Sequence, residues 1–543
     1  MKARWLLGLV LVIGVFVVAQ DHTPAPGNET ISASDLEADL RFLAGDEMAG
    51  RLTDTRGNRL AAEFIRSRFA RLGLTAVGTD GSYFHHFRLV TTELGENNEF
   101  TIDGGRRSEM ELGDSFYPDP SSGSGHATGP LVFVGFGIDA PSLEHDDYRT
   151  AQLDGAIALM LNHEPGEHRA DSVFDGTVLS EEARIVRKVL AAQARGATAV
   201  LVAPDARNHG NSQGLTRSMR EIWPTRPPRV ARYNLASWVV AVQIPVLHIS
   251  ARLADRLARE AGERFDELAE RAERAGGAPA ISLTGPRIEI TTTVARHVIE
   301  NRNVVGLIEG SDPHRRNEWI IISAHYDHDG AQGPQIFNGA DDDASGVAAL
   351  IEIAEAYAVA ATEGQRPARS ILLAAWNSEE QGLLGAWAYV RSPLHPLDDT
   401  VAVLNMDMIG RDEEIPSGGG IRFRGLEPQT AETNRNAVNI LGYSRSPDLR
   451  RAATQANTST ALELRFRYDN NASNLLRRSD QWPFLYREVP AIFIHTGLHP
   501  DYHTERDRAD KIRYPKMTRI VKLVHQLSWE LAQDPRRPSY VQP

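Results

Sequence analysis

Acidic residues and histidines recur just after apolar, strand-like runs in the C-terminal half of the sequence. Ile320-Ile321-Ile322-Ser323-Ala324 is followed by His325, Asp327 and His328. Ser370–Trp376 is followed by Glu379 and Glu380, Val401–Met406 by Asp407, and Pro490–His495 by His499 and His503. Between the first two runs, Gly339-Ala340-Asp341-Asp342-Asp343-Ala344-Ser345-Gly346 forms a small-residue loop that opens a helix. Each feature alone has an ordinary reading: three aspartates cap a helix start, and adjacent glutamates sit solvated in a loop. Their joint placement changes the expectation. Carboxylates crowded at neighbouring strand ends repel one another unless a cation neutralises them.

That chemistry suits a pair of borderline divalent cations. The chain has no cysteine, so any such site must use His, Asp and Glu. One carboxylate can bridge two ions about 3.5–4 Å apart, with imidazole and carboxylate filling the other positions. His325-x-Asp327 places a carboxylate where it can orient the imidazole. Glu379, beside a ligand candidate but directed elsewhere, could take a proton from activated water.

Such residues converge only if the runs are neighbouring parallel strands. From Asn303 onward apolar strands alternate with helices: Val304–Ile308, Trp319–Ser323, helix Ala344–Ala360, Ser370–Trp376, helix Leu383–Val390, Val401–Met406 and Pro490–His495. This predicts an α/β fold with a mixed, largely parallel sheet covered on both faces, ligands gathering at the strands' carboxyl ends. Nearer the N-terminus, Leu60, Phe64, Ile65, Phe69 and Leu72 mark one face of a docking helix over Gly57–Leu72. From about Ser115 to Gly285 the composition shifts to short β-like runs separated by Pro/Gly/Ser clusters, with helices over Glu181–Arg195 and Ala251–Gly276. No cluster of metal ligands is legible there, and the stretch reads as an inserted domain.

The segments Ala324-His325-Tyr326-Asp327, Gly339–Gly346, Asn377-Ser378-Glu379-Glu380-Gln381-Gly382-Leu383-Leu384-Gly385, Leu404-Asn405-Met406-Asp407-Met408-Ile409-Gly410 and Asp501-Tyr502-His503-Thr504 together resemble the two-zinc aminopeptidase family, which also includes glutamate carboxypeptidases, glutaminyl cyclases and the non-enzymatic transferrin receptor. The resemblance covers about 32–90 and 294–531. It implies two zinc ions per chain: His325, Asp342 and Asp407 on one, and Asp342, Glu380 and His503 on the other, with Asp342 as the bridge. It further implies Glu379 as the general base, Asp327 as the partner of His325, and a cis peptide between Asp342 and Asp343. His328, His495 and His499 are read as non-ligands. The middle stretch, through Gln193–Val202, is similar to a protease-associated domain. Two places depart from the family. Gln481 in Ser479-Asp480-Gln481 stands where His is common, and no tyrosine matches the one assisting the oxyanion, Tyr468, Tyr486 and Tyr502 being only neighbours in sequence. The implied organisation is a leader at 1–20, the N-terminal part of the peptidase domain at 21–114, the insert at 115–290, the catalytic domain at 291–535 and a tail at 536–543.

Composition fits this picture. With 543 residues, 41% hydrophobic and 24% charged, and a formal net charge of −13, the chain should divide into two or three units and lacks the basic face of a nucleic-acid binder. Lys2 and Arg4 precede an apolar run, Trp5–Val18, the layout of a secretory signal or an uncleaved anchor. The run is shorter than the roughly 20 residues of a spanning helix, and no other run is long enough. The expectation is an exported hydrolase acting on the amino ends of peptides. Three rivals remain: a carboxypeptidase or dipeptidase, for which Arg411, Arg422, Arg424, Arg477 and Arg478 are candidate anchors of a substrate carboxylate, a glutaminyl cyclase, and a non-catalytic binding module.

Overall fold

The computed structural model describes residues 23–542, apart from 104–106, 170, 177, 210–213, 227 and 229. The apolar N-terminal run lies outside the described residues.

Nine strands, numbered along the chain, build the larger sheet: β1 (Phe84–Leu94), β2 (Asn234–Leu235), β3 (Val294–Ile308), β4 (Trp319–His325), β5 (Ser370–Trp376), β6 (Thr400–Met406), β7 (Ala437–Leu441), β8 (Glu463–Phe466) and β9 (Ala491–His495). Their spatial order is β2-β1-β3-β5-β4-β6-β9-β7-β8. The centre, β5-β4-β6-β9, is parallel, whereas β1, β3 and β7 pair antiparallel on the flanks. The fold is therefore mixed α/β.

Alternation along the central strands divides the core. Ile320, Ile322 and Ala324 of β4 pack on one face with α1 (Ala33–Leu43), α2 (Arg56–Arg71), α3 (Gly346–Thr362) and α5 (Tyr514–Gln533). Ile321 packs on the other face with α4 (Leu384–Arg391) and the aromatic group of Trp376, Trp387 and Phe484. The period of two sends successive side chains to opposite faces, so a strand buried on both sides reads as a continuous apolar run. The docking helix α2 buries Ala61, Ala62, Ile65 and Phe69, while Leu60 is exposed. Residues Ala340–Thr362 are long and apolar enough to cross a membrane, but the helix lies buried in this core.

A second sheet of eight strands uses residues from Glu99–Asp103 to Ile281–Thr292. It thus begins before the expected boundary at 115 and ends just after 290. Nor is the insert self-contained: its short strand β2 pairs with β1 at the edge of the larger sheet. The single helix expected over Ala251–Gly276 forms as two, Ala251–Glu260 and Phe265–Ala272. Gly262 between them takes φ +79°, a conformation that ends a helix at little cost only in glycine.

Candidate metal centre

The register aligns the carboxyl ends of the central strands. His325, the last residue of β4, stands opposite Trp376, the last of β5, and Met406 of β6 stands opposite Ile494 of β9. Every sequence-predicted site residue lies at these ends or in the loops that leave them.

Asp342 sits at the centre. Its Oδ1 is 3.1 Å from His325 Nε2, and its Oδ2 is 3.1 Å from His503 Nε2. On the first side Asp407 Oδ1 lies 3.6 Å from His325 Nε2. On the second, Glu380 Oε2 lies 3.2 Å from His503 Nε2. Two donor sets of three residues therefore share one carboxylate. Glu379 belongs to neither set, its Oε2 standing 3.9 Å from His325 Nε2.

The donor atoms fit a pair of cations. His325 Nε2, Asp407 Oδ1, His503 Nε2 and Glu380 Oε1 are buried without a hydrogen-bond partner, and so are both ring nitrogens of His328. Buried polar atoms are normally paired, and these face one another across spacings that imidazole and carboxylate ligands span around one ion. Electrostatics point the same way. Burial pushes Glu379 well above the usual carboxylate range, with His325 only partly offsetting it. Burial also opposes the charge on Glu380, yet His503 and His328 overcome it and hold that carboxyl down at about 2. The cluster requires positive charge to keep its carboxylates ionised.

The surrounding shell explains how the loops hold this geometry. Asp343 follows Asp342 across a cis peptide bond. Its Oδ2 accepts from the amide of His325 (3.1 Å), and its Oδ1 from those of Gly346 (2.9 Å) and Met408 (3.2 Å). Gly346 must be glycine, because a Cβ there would lie 2.5–2.6 Å from the Asp343 carboxylate and the Met406 carbonyl. Asp327 acts differently from the expectation. His325 Nδ1 approaches the Asp327 carbonyl at 3.2 Å and its carboxylate only at 3.8 Å. That carboxylate instead accepts from the amides of Glu379 (3.0 Å) and Glu380 (3.3 Å), fixing the loop that carries both.

Several participants were not legible from sequence. Asp507 accepts from the amides of Asp341 and Asp342, and Asp329 lies 3.4 Å from His503 Nδ1. His328, read as a non-ligand, stands 2.6 Å from Glu380 Oε1 and 3.8 Å from Asp342 Oδ2, at the margin of the second set. His495 approaches the Asp407 carbonyl, and His499 pairs with Asp341, both outside the two sets. Gln481, at the position where histidine is common, is fully buried; it donates to the Leu476 carbonyl at 2.5 Å and accepts from Asn405 at 3.3 Å.

The fully buried Arg51 donates to the carbonyls of Leu43, Asn338, Gly339 and Tyr326 at 2.7–2.9 Å. It thereby clasps the two loops that carry His325 and Asp342. Arg51→Met removes the donors and leaves these carbonyls unpaired. We expect a loss of roughly 3–5 kcal/mol, read from denaturant unfolding; a loss under about 1 kcal/mol would show that the clasp is dispensable.

The centre opens into a cleft of about 220 Å³ whose lining includes Asp342, Glu379, Glu380, Asp407, Leu383, Met408, Leu475, Phe493, Arg477, Arg478 and Tyr502. Of the three tyrosines considered above, Tyr468 binds Glu413 and Tyr486 binds Glu182, whereas Tyr502 lines the cleft. Among the arginines, Arg411 pairs with Asp501, and Arg422 donates to the carbonyls of Tyr502 and His503. Arg477 is held by Asp175 and the Leu179 carbonyl of the insert.

Residues 303–528 match the model of peptidase family M28. Over 411 residues the chain is 28% identical to a probable glutamate carboxypeptidase of Arabidopsis thaliana, covering 72% of this chain and 51% of that protein. It is 26% identical over 425 residues to transferrin receptor protein 2 of Mus musculus, covering 70% and 48%. The chain thus spans about half the length of these curated relatives. Among solved structures, the aminopeptidase from Aneurinibacillus sp. strain AM-1 aligns over 95% of this chain and 97% of its own, at 18% identity and a TM-score of 0.45. The match to the model of peptidase family M28 covers the strand ends that carry His325, Asp342, Glu380, Asp407 and His503.

Proposed function

We propose that the chain is an exported aminopeptidase that holds two zinc ions and removes N-terminal residues from peptides, its β-rich insert being of the protease-associated kind. The observation that carries this reading is the pair of three-residue donor sets sharing Asp342, with Glu379 facing the same cleft outside both. His325, Asp342 and Asp407 would hold one ion, and Asp342, Glu380 and His503 the other. Zinc bound there supplies Lewis acidity that polarises a carbonyl and acidifies water. Glu379 takes the proton of the attacking water on its carboxylate and returns it to the departing amine. Asp327 keeps Glu379 and Glu380 in place through their amides.

Preference for a free amino end is supported by the cleft's charge. Asp342, Glu379, Glu380 and Asp407 line one region of it and attract a substrate ammonium. Arg477, a candidate carboxylate anchor, is engaged by Asp175. The volume is below the roughly 300–1,000 Å³ of pockets for drug-sized ligands, which suits an end residue. Arg478, whose guanidinium lies over the Tyr502 ring at 5.9 Å, favours a second reading: a carboxypeptidase or dipeptidase of the same fold. Export rests on the basic residues and apolar run at positions 2–18.

A panel of aminoacyl chromogenic substrates and N-acetylated peptides separates these readings. The expected result is cleavage of the free-amine substrates alone, lost on chelation and restored by zinc. Cleavage of N-acetylated peptides from their carboxyl end would replace the aminopeptidase by the carboxypeptidase.

A further inference from the structure

The second sheet repeats, in the insert, the device that gathers the cleft's donors. Strands Ile157–Leu161 and Ala199–Ala203 run parallel, with Leu161 opposite Ala203, and the Asn162 amide extends the pairing to the Ala203 carbonyl at 2.8 Å. The chain leaves both strands at the same sheet end. After the first come His163 and, beyond the Pro165-Gly166 turn, Glu167. After the second comes the short helix Ala206–His209.

Three potential ligand atoms meet there. His209 Nε2 lies 2.7 Å from Glu167 Oε2 and 2.5 Å from His163 Nδ1, and His163 Nδ1 is 3.1 Å from the same Glu167 oxygen. His168 stands alongside, its Nε2 3.6 Å from the other oxygen of Glu167. This corrects the sequence reading, which found no ligand cluster in the insert. His163 and His209 are 46 positions apart, and only the parallel pairing brings them together.

The arrangement offers a cation the same atoms that a hydrogen-bonded triad would use. Two ring nitrogens 2.5 Å apart cannot both carry protons toward one another, so at least one directs a lone pair at the common point. Glu167 is buried, His163 is half-buried and His209 is exposed, which leaves the point reachable from solvent. The segments are framed in advance. Glu273 accepts from the Gly166 amide at 2.8 Å and from Asn208 Nδ2 at 2.9 Å, and Lys188 Nζ donates to the His163 carbonyl at 2.7 Å. Moreover, His163 and His168 both hold positive φ, 62° and 68°, a conformation that costs energy in a non-glycine residue.

We propose that His163, Glu167 and His209 bind one borderline divalent cation, zinc being the type, at a site separate from the cleft. Two imidazole nitrogens and one carboxylate oxygen select such an ion over calcium or magnesium, which take oxygen. A water or the exposed His168 completes the coordination. The site lies at the root of the loop that carries Asp175 and Leu179 onto Arg477, and Glu181 onto Trp482 Nε1 at 2.9 Å. A bound ion would staple that loop to the insert's sheet, and through it one wall of the cleft.

Equilibrium dialysis of the full chain against Zn²⁺, followed by metal analysis, tests this. His163→Gln with His209→Gln should bind one ion fewer per chain than the wild type, whatever number the cleft holds. Glu167→Gln, which keeps the size of the side chain and can still accept a hydrogen bond, should weaken the extra site at least tenfold. Circular dichroism establishes that each variant is folded. Equal zinc content in the wild type and the folded double variant, or an unchanged zinc affinity of the extra site in folded Glu167→Gln, would overturn the proposal and leave a hydrogen-bonded triad only.

Discussion

Glu379→Gln is expected to lower kcat on free-amine substrates by about 10³-fold or more, within or above the roughly 10²–10⁴-fold that general acid–base catalysis contributes. Zinc content and thermal stability should stay at the wild-type level. The substitution keeps the side chain's size and removes only its capacity to accept and return a proton. It leaves both donor sets intact, since Glu379 belongs to neither, its Oε2 standing 3.9 Å from His325 Nε2. It also leaves the loop in place, because Asp327 holds residue 379 through its backbone amide. Asp327→Asn therefore makes a telling companion. It weakens the seat of Glu379 and Glu380 together, so both kcat and zinc affinity should fall. Near-normal turnover in the Glu379 variant, with zinc still bound, would remove this residue from the chemistry.

Asp342→Asn should abolish activity by a different route, through loss of both ions. Asp342 belongs to both sets, with one oxygen toward His325 and the other toward His503. An amide offers one weaker donor oxygen in place of two anionic ones, and zinc affinity should drop at least 10²-fold at each position. His503→Gln, by contrast, should cost one ion and keep the other. Stability supplies an independent reading. A ligand that binds only the folded chain stabilises it by RT ln(1 + [L]/Kd), about 2.7 kcal/mol at 100-fold excess over Kd. The zinc-dependent rise in Tm seen for the wild type should vanish in Asp342→Asn. Burial opposes the charge on Asp342, yet His328, His325 and His503 hold that carboxyl well below its usual range, so the zinc-free variant should be no more stable than zinc-free wild type. If Asp342→Asn still binds the same number of ions as wild type, Asp342 is not the shared ligand.

Much of this was legible in the residues themselves. A strand buried on both faces is largely apolar, so Ile320–Ala324, Ser370–Trp376 and Val401–Met406 stand out, and the acidic residues and histidines just after them mark where the chain leaves the sheet. Parallel strands place those exits side by side, and this brought His325, Asp342, Glu379, Glu380, Asp407 and His503 into consideration together. The tertiary structure alone decided the rest. Which Asp342 oxygen faces which histidine depends on strand order and loop path, which leave no periodic trace. Asp507 and Arg51 act through backbone groups and Asp329 through the His503 ring, each in a loop remote in sequence, and any carboxylate or guanidinium in sequence looks like a solvated one. Asp327 shows the limit even at short range: its nearness to His325 in sequence was plain, yet local geometry turned its carbonyl to the ring and its carboxylate to the amides of Glu379 and Glu380. His163, Glu167 and His209 meet for the same reason that the cleft's donors do. The insert's strands are short and their ligand-bearing loops are separated by an intervening helix, Ile185–Ala194, so only the parallel register of Leu161 and Ala203 could reveal the juxtaposition.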